Sequence, residues 1–388
     1  MGGTTMPKRA IILGSTGSIG CNALDVLAGL NGEWSVVGLA AGSRGRELAH
    51  QANRFHPQAV AIARTELSAE LDAELTYSPQ VFAGANALRE LVDTVPFDCA
   101  LCAVVGAGGL AATLRAVELG RRVALASKEV LVVAGSLLMP LARRTGAMLI
   151  PVDSEHSAIF QALHAGRRTE VRKVYLTASG GPFRTWSAEA MDEATLEDAL
   201  RHPTWDMGPK ISIDSATMMN KALEIVEACW LFDLRPDQIE VVVHPESIIH
   251  SLVEFCDGSM IAQLGTPDMR TPIQYAFTYP ERQPCPSPPL DLLRIRELKF
   301  HPPDRERFPA LGLGYEVARR GGTCGAVLNA ANEAAVELFR QEMIPFRDIA
   351  RLTEKALQEH EFTESPTLEG LLAADRWARQ EVSRCTAS

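Results

Sequence analysis

The first 150 residues alternate short apolar runs with segments of helical spacing, and this rhythm constrains the chain more than any other feature. KRAIILG is followed by the helical SIGCNALDVLAGL, and WSVVGLAAG by the helical RELAHQANRF. AVAIA, CALCAVVG, RVALAS and MLIPV continue the series of apolar runs. Strands buried on both faces read as unbroken apolar stretches, and helices between them cover the faces. The pattern predicts βαβ units on a parallel sheet, the N-terminal part of an α/β protein of Rossmann type.

Between the first strand and the first helix lies Gly14-Ser15-Thr16-Gly17-Ser18-Ile19-Gly20, a GxxGxxG loop. In such loops the first glycine makes the turn and the second lets the backbone approach a pyrophosphate. The third lets helix and strand pack closely, and the pyrophosphate rests on the helix N-terminus. A dinucleotide is therefore the expected cofactor. The second strand ends Ala40-Ala41-Gly42-Ser43-Arg44, with no acid at its tip to hold a ribose hydroxyl. A hydroxyl and a guanidinium suit a 2′-phosphate, which selects NADPH over NADH.

The rest of the 388 residues provide for two or three domains. We expect a cofactor domain over 1–152, a mixed α+β domain over 153–278, a proline-rich linker over 279–304 and a helical bundle over 305–388. The formal charge of −10, with no dense basic stretch, argues against nucleic acid and anionic membranes as main partners. No apolar run approaches the ~20 residues of a membrane span. The first strand begins near Lys8, leaving no room for a leader in this sequence, so a cytoplasmic location is the expectation. The eight scattered cysteines read as reduced thiols. The Cys99–Cys102 CxxC pair falls within an apolar run and reads as part of a buried strand.

Two polar constellations interrupt apolar surroundings. At the end of MLIPV stand Asp153, Glu155 and His156. In an extended segment Asp153 and Glu155, two apart, point to one side. Downstream, Ser215 reads as a helix cap, and Asn220, Lys221 and Glu224 share one side of the helix that follows. Serine, asparagine and lysine together make a phosphate grip, and Glu224 completes a set of three carboxylates with Asp153 and Glu155. Oxygen donors without cysteine suit Mg²⁺ or Mn²⁺ better than zinc. His156 is expected to pack at a helix start rather than ligate.

With GSTGSIG, ALASKEVLV, PVDSEHSAIFQAL, TASGGPF, HPTWDMGPKISIDSATMMNKALEIVEA and VVVHPESIIHS in this order, the chain resembles the 1-deoxy-D-xylulose 5-phosphate reductoisomerases. The resemblance implies NADPH- and metal-dependent rearrangement and reduction of that sugar phosphate to 2-C-methyl-D-erythritol 4-phosphate, a step of non-mevalonate isoprenoid synthesis. It also implies a homodimer, and leaves Mg²⁺, Mn²⁺ and Co²⁺ open. By position, it makes Asp153, Glu155 and Glu224 the metal ligands, with Ser154 and Lys128 as substrate contacts beside them. It assigns Ser179, Ser215, Asn220 and Lys221 to the phosphate, and Glu129 to the cofactor side. His202 and Trp205 fall on a flexible lid over about 201–211, His202 among the catalytic residues, with Met207 and Gly208 near the nicotinamide. Thr16, Gly17, Ser18 and Ile19 fall on the cofactor loop. Family members often carry asparagine where this chain has Ser127. That position and the residues after Gly42 touch cofactor contacts. The competing readings are another NADP-dependent oxidoreductase, of the homoserine or semialdehyde dehydrogenase type, and a cofactor-binding sensor without catalysis.

Overall fold

The computed structural model describes residues 6–30 and 32–386. The outermost parts of the expected first and last domains, 1–5 and 387–388, lie outside them. Compactness divides the chain into two units that interleave along the sequence. One comprises the chain up to Val130 with Pro140–Ser157 and Asp268–Pro288, and the other Leu131–Met139, Ala158–Pro267 and the chain from Pro289.

The first unit is built on seven strands: β1 (Lys8–Leu13), β2 (Trp34–Ala41), β3 (Ala59–Ile62), β4 (Gln80–Ala83), β5 (Cys99–Cys102), β6 (Arg122–Leu125) and β7 (Leu149–Pro151). Their order is β4-β3-β2-β1-β5-β6-β7, and every pairing is parallel. Ile11, Ile12, Leu39, Ile62 and Leu101 are fully buried in it. Each such side chain contributes about 1.5–3 kcal/mol relative to exposure. The chain runs outward from β1 to β4, then returns to β5 on the other side of β1. The cleft beyond the ends of β1 and β5 is therefore the switch point where ligands of such sheets bind. β4 is an edge strand of half-buried and exposed residues whose apolar stretch, Val81-Phe82-Ala83, is only three residues long, and it went unread in the sequence.

The helix Arg270–Thr278, expected with the middle domain, packs in the first unit. Phe277 meets Trp34 edge-on with ring centroids 5.1 Å apart, and its carbonyl accepts from Arg122 Nη1 at 2.9 Å.

The second unit holds a four-stranded sheet of β8 (Val171–Ala178), β9 (Ile239–Val243), β10 (Ile249–Phe255) and β11 (Met260–Leu264), ordered β11-β10-β8-β9. Only β8 and β9 run parallel. The helices Ala310–Arg320, Cys324–Arg340, Asp348–Glu359 and Leu368–Thr386 form the expected helical part. One close approach among the helices matters for the site. A Cβ on Gly314 would lie 2.6 Å from the Cα and carbonyl oxygen of Ala222, so Ala310–Arg320 rests directly on the backbone of the helix Met219–Phe232. The proline-rich stretch between Thr278 and Ala310 holds no helix or strand, only a bridge between Val243 and His301. Among the described residues no helix is long and apolar enough to cross a membrane.

The CxxC pair lies within β5 as read. Burial pushes the Cys99 thiol up to about 12 and the Cys102 thiol up to about 11, so neither ionises near neutrality. In the folded protein at pH 8, a thiol-reactive disulfide reagent should modify the exposed Cys21 and Cys256 promptly. Cys99 and Cys102 should react only after unfolding. Prompt modification of either, located by peptide mass, would show that β5 is not the closed strand described.

Candidate active site

In the first unit the glycine loop leaves β1 at Gly14. This residue has φ +91°, and a Cβ there would come within 2.4 Å of the Ala103 carbonyl oxygen just past β5. Gly20 is equally tight, since a Cβ would meet the Gly14 oxygen at 2.3 Å. Gly17 differs: its φ is −76°, and a Cβ would have only the Gly14 oxygen at 3.4 Å. The protein itself has room for a methyl group at Gly17, at the start of the helix Ser18–Gly29. That room suits a close approach of a pyrophosphate to the loop backbone. Thr16 is buried, while Ser18 is exposed and Ile19 half-buried at the helix start. Gly42, Ser43 and Arg44 are exposed just beyond the tip of β2.

The neighbouring strands β6 and β7, in register at Leu125 and Pro151, deliver two charged groups to the same edge. Lys128 opens the helix after β6, and Asp153 follows β7. Lys128 Nζ lies 2.5 Å from Asp153 Oδ2, and the lysine is buried. Asp153 Oδ1 accepts from the Glu155 backbone N–H at 3.2 Å and faces His156 Nδ1 at 3.1 Å. The Asp153 carbonyl accepts from Ser157 N at 2.8 Å, so Asp153 caps the helix Ser154–Ala162. Here the extended reading of this segment is corrected. Glu155 stands in the first helical turn, one position along from Ser154, whose hydroxyl bonds the Glu155 carboxylate. A carboxylate as cap is the reason, because it satisfies an N–H and sits on the positive end of the helix dipole. His156 is fully buried, with its Nδ1 turned to Asp153.

Ser127 and Glu129, beside Lys128, are buried. The Ser127 hydroxyl donates to the Val104 carbonyl at 2.6 Å, tying β6 to the segment after β5.

In the second unit, Asn220 Nδ2 and Lys221 Nζ each lie 2.5 Å from a Glu224 oxygen, Oε1 and Oε2 respectively. Lys221 and Glu224 are buried, at 4% and 1% exposure. The shared helix side expected from spacing is present. The helix does not start at Ser215, however. Ser215 lies near the end of the helix Pro209–Ala216, and the next helix, Met219–Phe232, begins after Met218 turns left-handed at φ +59°. The Met219 N–H donates to Thr217 Oγ1 at 3.2 Å. Methionine has no turn preference, so nothing in the sequence marks the break.

Ser179 follows β8 in a Ser-Gly-Gly turn. A Cβ on Gly181, at φ +66°, would lie 2.6 Å from the Ser215 carbonyl oxygen, so this turn packs onto the backbone of Ser215. His202 Nδ1 accepts from the N–H groups of Thr204 at 3.2 Å and Trp205 at 2.9 Å. The proton is thus on Nε2, which faces Ser179 Oγ at 2.9 Å. Met207 and Gly208 complete this irregular segment, with Gly208 preceding the helix at Pro209. Arg184 Nη1 donates to the Ser179 carbonyl at 2.8 Å and fixes the turn. Neither Arg184 nor Gly314 gave a sequence signal: Arg184 acts through a carbonyl five residues back, and Gly314 through the backbone of Ala222, distant in sequence.

The first unit thus combines a dinucleotide loop at a sheet switch point with a capped carboxylate and a buried lysine at the same strand ends. This is an NADP(H)-type α/β oxidoreductase architecture. Three family models match the chain: 1-deoxy-D-xylulose 5-phosphate reductoisomerase over residues 10–135, its C-terminal domain over 149–232, and the DXP reductoisomerase C-terminal domain over 264–381. The 1-deoxy-D-xylulose 5-phosphate reductoisomerase of Synechococcus sp. (strain JA-2-3B'a(2-13)) is 50% identical over 376 residues, 96% of each chain. The Zymomonas mobilis enzyme, solved with NADPH, superposes with a TM-score of 0.92 at 44% identity, covering 98% of this chain and 100% of that one. A further reductoisomerase, solved with NADPH, fosmidomycin and magnesium, gives 0.91 at 40% identity, covering 98% of both. The chain belongs to the 1-deoxy-D-xylulose 5-phosphate reductoisomerase family.

The loop contacts separate two kinds of glycine. Gly17→Ala should keep the wild-type melting temperature but weaken NADPH binding at least tenfold, read by fluorescence titration. Gly20→Ala should lower the melting temperature itself, because the added carbon meets backbone. Unimpaired NADPH binding by Gly17→Ala would mean that no ligand approaches there.

Proposed function

We propose that this protein converts 1-deoxy-D-xylulose 5-phosphate to 2-C-methyl-D-erythritol 4-phosphate by rearrangement and NADPH-dependent reduction, with one divalent cation. The family match along nearly the whole chain carries this reading.

Asp153, Glu155 and Glu224 hold the cation. The carboxylates of Asp153 and Glu155 in the first unit, and of Glu224 in the second, are the hard oxygen donors that Mg²⁺ or Mn²⁺ take. When bound, the cation polarises the substrate carbonyl and the oxygens beside it, and NADPH supplies the hydride. Lys128 balances the charge of Asp153 and, with Ser154, orients the substrate. Ser179, Ser215, Asn220 and Lys221 grip the phosphate, which is remote from the bonds that change and anchors the reacting end. His202, its Nε2 proton directed at Ser179, and Trp205 close over the substrate and exclude water from the aldehyde intermediate. Gly14, Thr16, Gly17, Ser18, Ile19 and Gly20 cradle the pyrophosphate. Gly42, Ser43 and Arg44 receive the 2′-phosphate, and Ser127, Glu129, Met207 and Gly208 border the rest of the cofactor. We also infer the functional division at 152, 278 and 304, read from the pattern of segments along the chain, a cytoplasmic location, and a homodimer, expected from the resemblance.

Loss of absorbance at the NADPH band with this substrate and Mg²⁺ or Mn²⁺, abolished by chelator, is the expected result. No oxidation by folded, NADPH-binding protein under any of these metals would refute the assignment. Glu224→Gln or Asp153→Asn should lower kcat roughly a thousandfold, the worth of several kcal/mol of transition-state charge stabilisation, with NADPH binding nearly intact. Near-normal turnover at saturating metal would remove that residue from the ligand set. Lys221→Ala should raise KM for the sugar phosphate roughly ten- to a hundredfold and that for NADPH less than twofold, since a charge-assisted phosphate contact is lost. An equal rise in both would count against the phosphate role.

A further inference from the structure

The helix Pro209–Ala216 carries Ser215 and follows directly on the irregular segment with His202, Trp205, Met207 and Gly208. Inside it, Lys210 Nζ lies 2.6 Å from Asp214 Oδ2, and Asp214 is only 1% exposed. The pair is oriented against the helix. A lysine in the first turn and an aspartate in the last both oppose the helix dipole, and lysine N-terminal to the acid is the weaker order. Stabilising this helix locally therefore does not account for it.

The other oxygen of Asp214 points elsewhere. Asn332 Nδ2, on the helix Cys324–Arg340, donates to Asp214 Oδ1 at 2.8 Å. Asn332 is fully buried, and its own Oδ1 has no hydrogen-bond partner among the described residues. A buried amide with one unpaired oxygen costs about 1–3 kcal/mol, which an apolar residue of the same size would avoid. Retaining it makes sense where the Nδ2 bond to Asp214 is needed.

We infer that Asp214, held between Lys210 and Asn332, is a positioning residue: it anchors the helix after the 201–208 segment to the helical region and so sets the place of Ser215 and of the segment's end. The inference rests on the proposed function, since the phosphate site is what this anchor serves. The carbonyl of Ser215 is also the floor under Gly181, so a shift of this helix moves the Ser179 turn as well.

The test uses the full-length protein and four variants. Asn332→Asp opposes two carboxylates, and Asp214→Asn with Asn332→Asp restores an amide-to-carboxylate bond with the roles exchanged. Asp214→Asn alone and Lys210→Met, a milder change at a partly exposed position, keep the test open if Asn332→Asp does not fold. Asn332→Asp should raise KM for the sugar phosphate about tenfold, the scale of a lost hydrogen bond to a charged group, with KM for NADPH within twofold. Lys210→Met and Asp214→Asn should move KM the same way by less, and the exchanged pair should regain most of the loss. Hydrogen–deuterium exchange should rise in 201–216 and not in the remote helices. The anchor is refuted by unchanged KM and unchanged exchange in 201–216, by equal KM rises for both substrates, or by an exchanged pair no better than Asn332→Asp alone. Should the wild type oxidise no NADPH with this sugar phosphate, the proposed function falls. The exchange measurement then judges the anchor by itself.

Discussion

A carboxylate taken out of water must be compensated, and that requirement organises the functional parts of this chain. Asp153 and Glu224 show it. Asp153 has the ammonium of Lys128, a backbone N–H and a buried histidine around its oxygens. Glu224 has the ammonium of Lys221 and the amide of Asn220. Removing one member of such a set leaves a buried charge exposed to the full desolvation penalty. The partners come from different levels of structure: a neighbouring strand end for Asp153, and the previous turn of the same helix for Glu224. A carboxylate with this surrounding is fixed in direction, as a hard cation requires of its ligands.

The parallel sheet supplies the first of these by geometry. Adjacent parallel strands end at the same edge, so residues just beyond them converge whatever their separation in sequence. Lys128 and Asp153 meet in this way, as Gly14 meets Ala103. The second unit reaches a similar result through close backbone approach. Gly314 lies on Ala222, next to Lys221, and Gly181 lies on Ser215. Glycine at these contacts replaces side-chain packing with backbone packing, which leaves little slack.

Much of this was legible in the sequence. The N-terminal sheet could be read because its central strands are buried on both faces, and the C-terminal helices because their apolar spacing is regular. β4 escaped because its apolar stretch is only three residues long, and β10 because buried polar residues such as His250 and Ser251 interrupt it. The side shared by Asn220, Lys221 and Glu224 followed from helical spacing alone. Asp153 as a helix cap did not, because the acid-serine-acid-histidine run is compatible with a strand end. The break at Met218 was hidden for a deeper reason: tertiary packing imposes a left-handed backbone on a residue with no preference for it. The pairing of Asp214 with Asn332 joins segments that no local pattern connects.

The glycine loop has a consequence for descent. Gly14 and Gly20 are required by the protein's own atoms, whereas the protein's own atoms leave room at Gly17, and only the proposed cofactor contact would require a glycine there. In a lineage that kept this fold and abandoned the dinucleotide, selection on Gly17 would relax at once, while the other two would persist for the sake of folding. The middle glycine is therefore the one whose loss in a distant descendant records a change of occupation rather than a change of architecture.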